Sequence, residues 1–321
     1  METIAENTAP RSAANGELRK RRDRDLQVAR RVDWRYLLPD PRLREVGYVG
    51  RQEGMLREAL EQLCESVAVA APAEKTQAGQ KEFDVVVLKS RERAELETAS
   101  AMLSVGGHLY WEVEGGRKRP AIQSCVAWLK EQGFDGIKAH WNRPGFENCL
   151  EIIPLGETPA LTFVLARHFG GVRRRLMQTA GRAVTKMRML EWMMPSVSIV
   201  ARKKGQSSER MNAVEEFLSR NWERLELGEG GRKSKLSSIV ATPAFRASRH
   251  AVFLIFANGT PELSWVAKTA RLAEETSSLD REVKNLRALH AVRPGGFASA
   301  PRVLAYETQW GSRLLVESAV D

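Results

Sequence analysis

The stretch Phe83-Asp84-Val85-Val86-Val87-Leu88 decides the fold. A near-continuous apolar run of this length predicts a strand buried on both faces, the habit of parallel sheets covered by helices on each side. The flanking sequence agrees. Upstream, Glu45-Val46-Gly47-Tyr48-Val49-Gly50 reads as a short strand ending in glycine. Glu53 to Leu63 then carries Met55, Leu56, Ala59, Leu60 and Leu63 at helical spacing, and Val67-Ala68-Val69-Ala70 reads as a second strand. Downstream, a helix predicted over Arg91 to Leu103 is broken by Gly106-Gly107. The strand His108-Leu109-Tyr110-Trp111-Glu112-Val113 follows. Strand and helix alternating in this way predict a doubly wound α/β sheet.

A further helix over Ala121 to Gln132 stops at Gly133, and Gly136 to His140 with Cys149 to Ile153 alternate like an antiparallel pair. Residues 157–194 interrupt the rhythm as a helical insertion. From Leu176 the positions Ala180, Ala183, Val184, Met187, Leu190 and Met194 form one stripe, with Arg174, Arg175, Arg182 and Lys186 off it. Pro195 ends that helix, and Val197 to Ala201 completes a Rossmann-like first domain spanning 33–203. Residues 1–32, polar and then densely charged with no apolar period, predict a disordered basic arm. Order is expected to begin at Asp33-Trp34-Arg35-Tyr36-Leu37-Leu38-Pro39.

Residues 204–235 read as a linker and a helix, Met211 to Trp222. From 236 to 321 the habit changes to α+β. Ser237 to Ala241, Ala251 to Phe256 and Leu263 to Lys268 predict an antiparallel meander, its second and third strands turning at Asn258-Gly259. A helix carrying Leu279, Val283, Leu286 and Leu289 follows, then the strands Arg302 to Tyr306 and Arg313 to Glu317. No internal repeat is visible.

With 321 residues the chain can bury two cores, and 43% hydrophobic with 28% charged residues is ordinary globular composition. Cys64, Cys125 and Cys149 lie far apart with no CxxC pair. That argues against a disulfide framework and a zinc site, and suits a reducing compartment. No secretory h-region opens the sequence, and the longest apolar run, Ala160 to Ala166, is too short to span a bilayer, so the expectation is a cytoplasmic protein. The net charge of +10 concentrates in Arg19 to Arg22 with Arg24, Arg30 and Arg31, and again from Arg173 to Arg188. Neither run is interleaved with aromatics, so no specific nucleic-acid partner is expected. The 173–188 run suits an anionic membrane surface or a phosphate-bearing substrate, or a plain solvated helix face.

On Val46 to Gly54, Phe83 to Leu88 and Leu103-Ser104-Val105-Gly106-Gly107-His108-Leu109, with the antiparallel last strands and the insertion before them, residues 33–203 resemble the class I S-adenosylmethionine-dependent methyltransferases. The resemblance implies S-adenosylmethionine as cofactor, held beside Gly47, Gly50 and Gly54, with Asp84 toward the substrate side. These glycines are more widely spaced than the family's tight turn, and Val69-Ala70-Ala71 carries no acidic residue for the ribose hydroxyls. His108, Glu112, His140 and Trp141 lie near predicted strand ends, where such residues are more often structural than catalytic, so no catalytic residue is assigned.

Residues 236–321 resemble the N-lobe of the kinase-like phosphotransferases, the group of aminoglycoside and choline kinases. Trp265-Val266-Ala267-Lys268 and Glu282 carry the likeness. It implies Lys268 on the ATP phosphates, oriented by Glu282, with Glu317-Ser318-Ala319 opening the hinge that reads adenine. Ala241 to Ser248 has no glycine for a phosphate-covering loop, and no catalytic loop or Mg²⁺ ligand follows the hinge. The lobe is therefore expected to be incomplete, the chain a fragment of a longer protein, and ATP with Mg²⁺ a cofactor only where the other lobe is present.

The order of the two domains resembles two-domain bacterial proteins of surface-polysaccharide assembly. It implies a methyltransferase acting on a carbohydrate or lipid-linked glycan. The alternative is a non-catalytic Rossmann scaffold for a sugar- or aminoglycoside-type phosphotransferase.

Overall fold

The computed structural model describes residues 9–50, 54–70, 82–90, 92–114, 122–168, 194–205, 212–227, 235–243, 249–293, 297 and 299–320. It is a mixed α/β structure built on one large sheet. Seven strands come from the first half: β1 (Glu45–Gly50), β2 (Ser66–Ala70), β3 (Phe83–Lys89), β4 (Leu103–Glu114), β5 (Phe134–Arg143), β6 (Glu151–Pro154) and β7 (Ser196–Lys203). Five come from the second: β8 (Ser237–Ala241), β9 (His250–Phe256), β10 (Leu263–Ala270), β11 (Val303–Gln309) and β12 (Ser312–Ser318). They lie side by side in the order β2-β1-β3-β4-β7-β5-β6-β8-β9-β10-β12-β11.

The first four of these strands are parallel, with Val46 paired to both Val67 and Val85. Strand β7 enters antiparallel between β4 and β5, Trp111 facing Ile199 and His140 facing Ser198. Beyond β5 every pairing is antiparallel. The two halves meet where β6 pairs β8, through Glu151 with Ala241 and Ile152 with Val240. Asn258 and Gly259, both at positive φ, make the β9–β10 turn anticipated from their sequence.

Alternation along the strands divides the core between the two faces of the sheet. On one face Val46, Tyr48, Tyr110, Val200, Val240 and Phe253 pack under α2 (Met55–Leu63), α6 (Ala213–Arg220) and the end of the first helix. The other face is covered by α3 (Arg93–Met102) and α4 (Ile122–Glu131), by α5 (Thr158–His168) and by α7 (Ser277–Val292).

Two sequence expectations are corrected. The arm expected to be disordered over 1–32 is ordered in its described part: Ala9–Arg30 is a helix, α1, with Leu26, Val28 and Ala29 buried. Its order comes from partners elsewhere in the chain, Arg22 with Glu275 and Arg24 with Glu58 at 2.7 Å, which local composition does not show. The helix expected over Met211 to Trp222 is present at Ala213–Arg220, and Val214, Phe217, Leu218 and Trp222 are all buried in the shared core. Gly106-Gly107 does not separate α3 from the next strand. Leu103 already pairs with Phe83, and residues 104–107 bulge before pairing resumes at His108 opposite Val85. Gly106, at φ +84, makes that bulge possible, and a Cβ on Gly107 would stand 2.9 Å from Ser104 Oγ.

Candidate functional site

Ligands of parallel α/β sheets bind at the carboxyl ends of the strands, beside helix N-termini. Here that rim is formed by Gly50, Ala70, Lys89 and Glu112–Glu114. Gly50 ends β1 at φ +152, and a Cβ on it would lie 2.9 Å from the Lys89 carbonyl oxygen. Gly54 caps α2 at φ +130 with no heavy atom within 4 Å of a built Cβ. It has no side chain with which to cap the helix, so the first amides of α2 depend on other partners. Gly47 serves a different purpose. It sits inside β1, where a Cβ would come within 2.9 Å of Met102 Cε, so it admits α3 to the sheet.

Asp84 does not join this rim. It is the second residue of β3, five residues before Lys89 and therefore about 17 Å away along an extended chain. It accepts a hydrogen bond from Ser104 Oγ at 3.2 Å. Sequence order alone marks it as strand start, and the parallel sheet puts strand starts at the opposite edge. Strand β2 ends at Ala70 with no carboxylate along Ser66–Ala70.

What the sequence reading missed is the group packed across the end of β4. Arg31 donates to both Glu112 oxygens, at 2.7 and 2.8 Å, and both side chains are almost fully buried. Burial opposes the Arg31 charge, but the Glu112 carboxylate outweighs it and the guanidinium pKa is raised. Tyr110 Oη donates to Glu112 at 3.1 Å, Glu147 lies 3.4 Å from Arg31 and 3.6 Å from Lys89, and Trp34 stacks on Tyr110 with centroids 4.0 Å apart. Buried aromatics at 34 and 110 and an acidic residue at an apolar strand's end were the available signals, but nothing local says that they meet.

Of the residues flagged near strand ends, only Glu112 belongs to this cluster. His140 lies at its level, across β7, fully enclosed. Burial, with Lys138 nearby, pushes it down to about 3. His108 sits toward the amino end of the β3–β4 ladder, where burial and Arg202 push it down to about 4. Both rings are neutral near pH 7. Trp141 packs elsewhere, against the apolar cluster of Ile153, Leu161 and Val197 under α5. The thiols of Cys64 and Cys149 are driven up to about 12 by burial, and none of the three cysteines is in a disulfide. Among the described residues no group of three or more metal-ligating side chains is found, and no helix is long and apolar enough to cross a membrane. The basic run 173–188 lies outside the described residues.

In the second half, Lys268 Nζ donates to Glu282 at 2.5 Å and stands 2.8 Å from Glu317, whose side chain is buried. Burial works against the lysine's charge, and the two carboxylates together raise its pKa. Glu317 lies within β12, and burial raises its own pKa. Ala319 donates its backbone amide to Ser264 at 3.1 Å.

No family model and no curated protein matches the chain. Solved structures do align with it. A protein of Bacillus halodurans provisionally named a methyltransferase aligns at 13% identity and TM-score 0.28, over 51% of this chain and 93% of its own. The [4+2]-cyclase SpnF aligns at 13% identity and TM-score 0.27, over 57% and 82%. WbdD, solved with the kinase inhibitor LY294002, aligns at 12% and 0.24, over 87% of this chain and 57% of its own. At these identities and scores the alignments carry no argument about what this chain binds.

Proposed function

We propose that the first half is a methyltransferase-type module that docks S-adenosylmethionine at the junction of β1 and α2. The strand order β2-β1-β3-β4-β7-β5, with β7 alone reversed, supports the reading. The observation that carries it is the pair Gly50 and Gly54. Both have backbone conformations that suit glycine, and they flank the uncapped amides of α2. An open backbone at a helix N-terminus is a fitting seat for a ligand carboxylate. When bound, the cofactor supplies an activated methyl group. The chain's contribution would then be apposition of the acceptor, since methyl transfer needs mainly alignment. A carbohydrate or lipid-linked glycan is the acceptor class implied by the resemblance of this domain order to polysaccharide-assembly proteins. The second half, with strands in the order β8-β9-β10-β12-β11 and Lys268 bonded to Glu282, is read as the ATP-covering lobe of a kinase-like phosphotransferase.

A second reading, the non-catalytic scaffold, is favoured by Arg31 and Trp34, which fill the end of β4 where an acceptor would approach. Calorimetric titration of the full chain with S-adenosylhomocysteine separates the two. Micromolar binding, lost in Gly54→Leu, is the expected result. No binding at millimolar ligand by folded protein would leave the scaffold reading standing.

A further inference from the structure

A cleft of about 470 Å³ opens on the opposite edge of the sheet from Gly50. Its walls are the segment before β1 (Arg42, Arg44), the turn Asp33–Leu37 (Arg35), the end of β10 (Thr269, Arg271) and the β11–β12 hairpin (Trp310). A pocket of this size suits a nucleotide-sized molecule. It belongs to neither site described above.

Its lining carries four arginines and one carboxylate residue. Arg35 and Arg271 are both buried, and Arg271 donates to the buried Asp33 carboxylate at 2.8 Å. Arg35 donates instead to neutral oxygens, Tyr36 Oη at 3.0 Å and the Arg271 carbonyl at 2.6 Å. Arg42 is paired with Asp40, and Arg44 is exposed. The one carboxylate residue in the lining, Glu65, is also exposed. A buried guanidinium bonded to neutral oxygens gains from a charged acceptor. The hydroxyl of Thr269, in a residue 1% exposed, has no hydrogen-bond partner among the described residues.

The hairpin adds a second peculiarity. Trp310 and Gly311 form a two-residue turn between Gln309 and Ser312, with Trp310 at φ +51. That position favours Asn or Gly, and a bulky aromatic there is strained. Strain of this kind persists at ligand sites. We propose that the cleft binds a small phosphorylated ligand, its phosphate on Arg35, Arg44, Arg271 and Thr269 and a planar ring against Trp310.

The test is calorimetry on the full chain with uridine diphosphate, inorganic pyrophosphate and uridine as probes. The two phosphorylated probes should bind, more weakly as salt rises, and uridine should not. Arg44→Glu, an exposed change that leaves the fold intact, should weaken both by about tenfold or more. Trp310→Asn should raise the melting temperature by relieving the turn, yet weaken uridine diphosphate while sparing pyrophosphate. Gly54→Leu should change none of this, which separates the cleft from the methyltransferase reading. Absence of binding to folded protein at millimolar probe overturns the proposal. So does binding that Lys268→Ala abolishes and Arg44→Glu leaves unchanged.

Discussion

Arg31 shows how much a single residue can alter the reading of a sequence. In the linear chain it is the last of a run of basic residues and reads as solvated. In the fold it is almost fully buried against Glu112. Breaking a buried pair leaves the remaining charge stranded, whereas replacing both members with apolar side chains is often tolerated. Arg31→Met alone should therefore cost about 3–5 kcal/mol in urea denaturation. The double variant Arg31→Met with Glu112→Leu should recover most of that loss. Equal losses in the single and double variants would mean that Arg31 acts through its packing and not its charge. Gly50 and Gly54 were legible from sequence because a strand ending in glycine before a helix has a local signature. The Arg31–Glu112 pair was not, since its members are 81 residues apart.

At the scale of elements, periodicity located nearly every strand and helix, because each buries one face or both. What it could not weigh was how the helix at 213–220 is tied to the sheet. Asn212 caps it by accepting from the Glu215 amide at 2.9 Å and also donates to Ser238 at 2.8 Å, tying it to β8. Glu215 is buried beneath it, facing Lys138 at 3.8 Å, Ser238, and the nearby charge of Glu157. Burial, with Glu157 adding to it and Lys138 opposing, raises the Glu215 pKa above its ordinary 4.5. A raised carboxylate favours the folded state below pH 4.5 and loses that contribution as pH rises through its folded pKa. Glu215→Gln keeps the shape and cannot ionise, so it should be more stable than the wild type at pH 7. That advantage should vanish below pH 4.5. Stability curves across pH check this, and a variant that is weaker at pH 7 would show Lys138 to dominate the site.

The whole molecule poses the question of whether two sequence domains remain two folding units once their strands share a sheet. Composition and strand habit divide the chain near residue 204, and the backbone seam is thin, with Glu151–Ala241 and Ile152–Val240 its only register pairs among the described residues. Side chains cross it far more heavily. One buried cluster contains Val46 and Tyr48 from the parallel strands together with Phe253 and Val316 from the antiparallel ones. On the other face Phe256 packs with Leu161 and Val164 of α5 and Val197 of β7. Arg271 and Asp33 add a buried ion pair across the same boundary. Hydrophobic burial scales with area and not with chain order, so a core shared this widely should make unfolding one cooperative event. Phe256→Ala, a cavity at a fully buried site, should cost about 3–5 kcal/mol. Native-state hydrogen exchange can show where that loss falls. The amides of β1 and β3 should lose as much protection as those of β9 and β10, although β1 and β3 are far from the cavity in sequence. Loss confined to β8–β12 would instead mean that the seam is where the molecule comes apart.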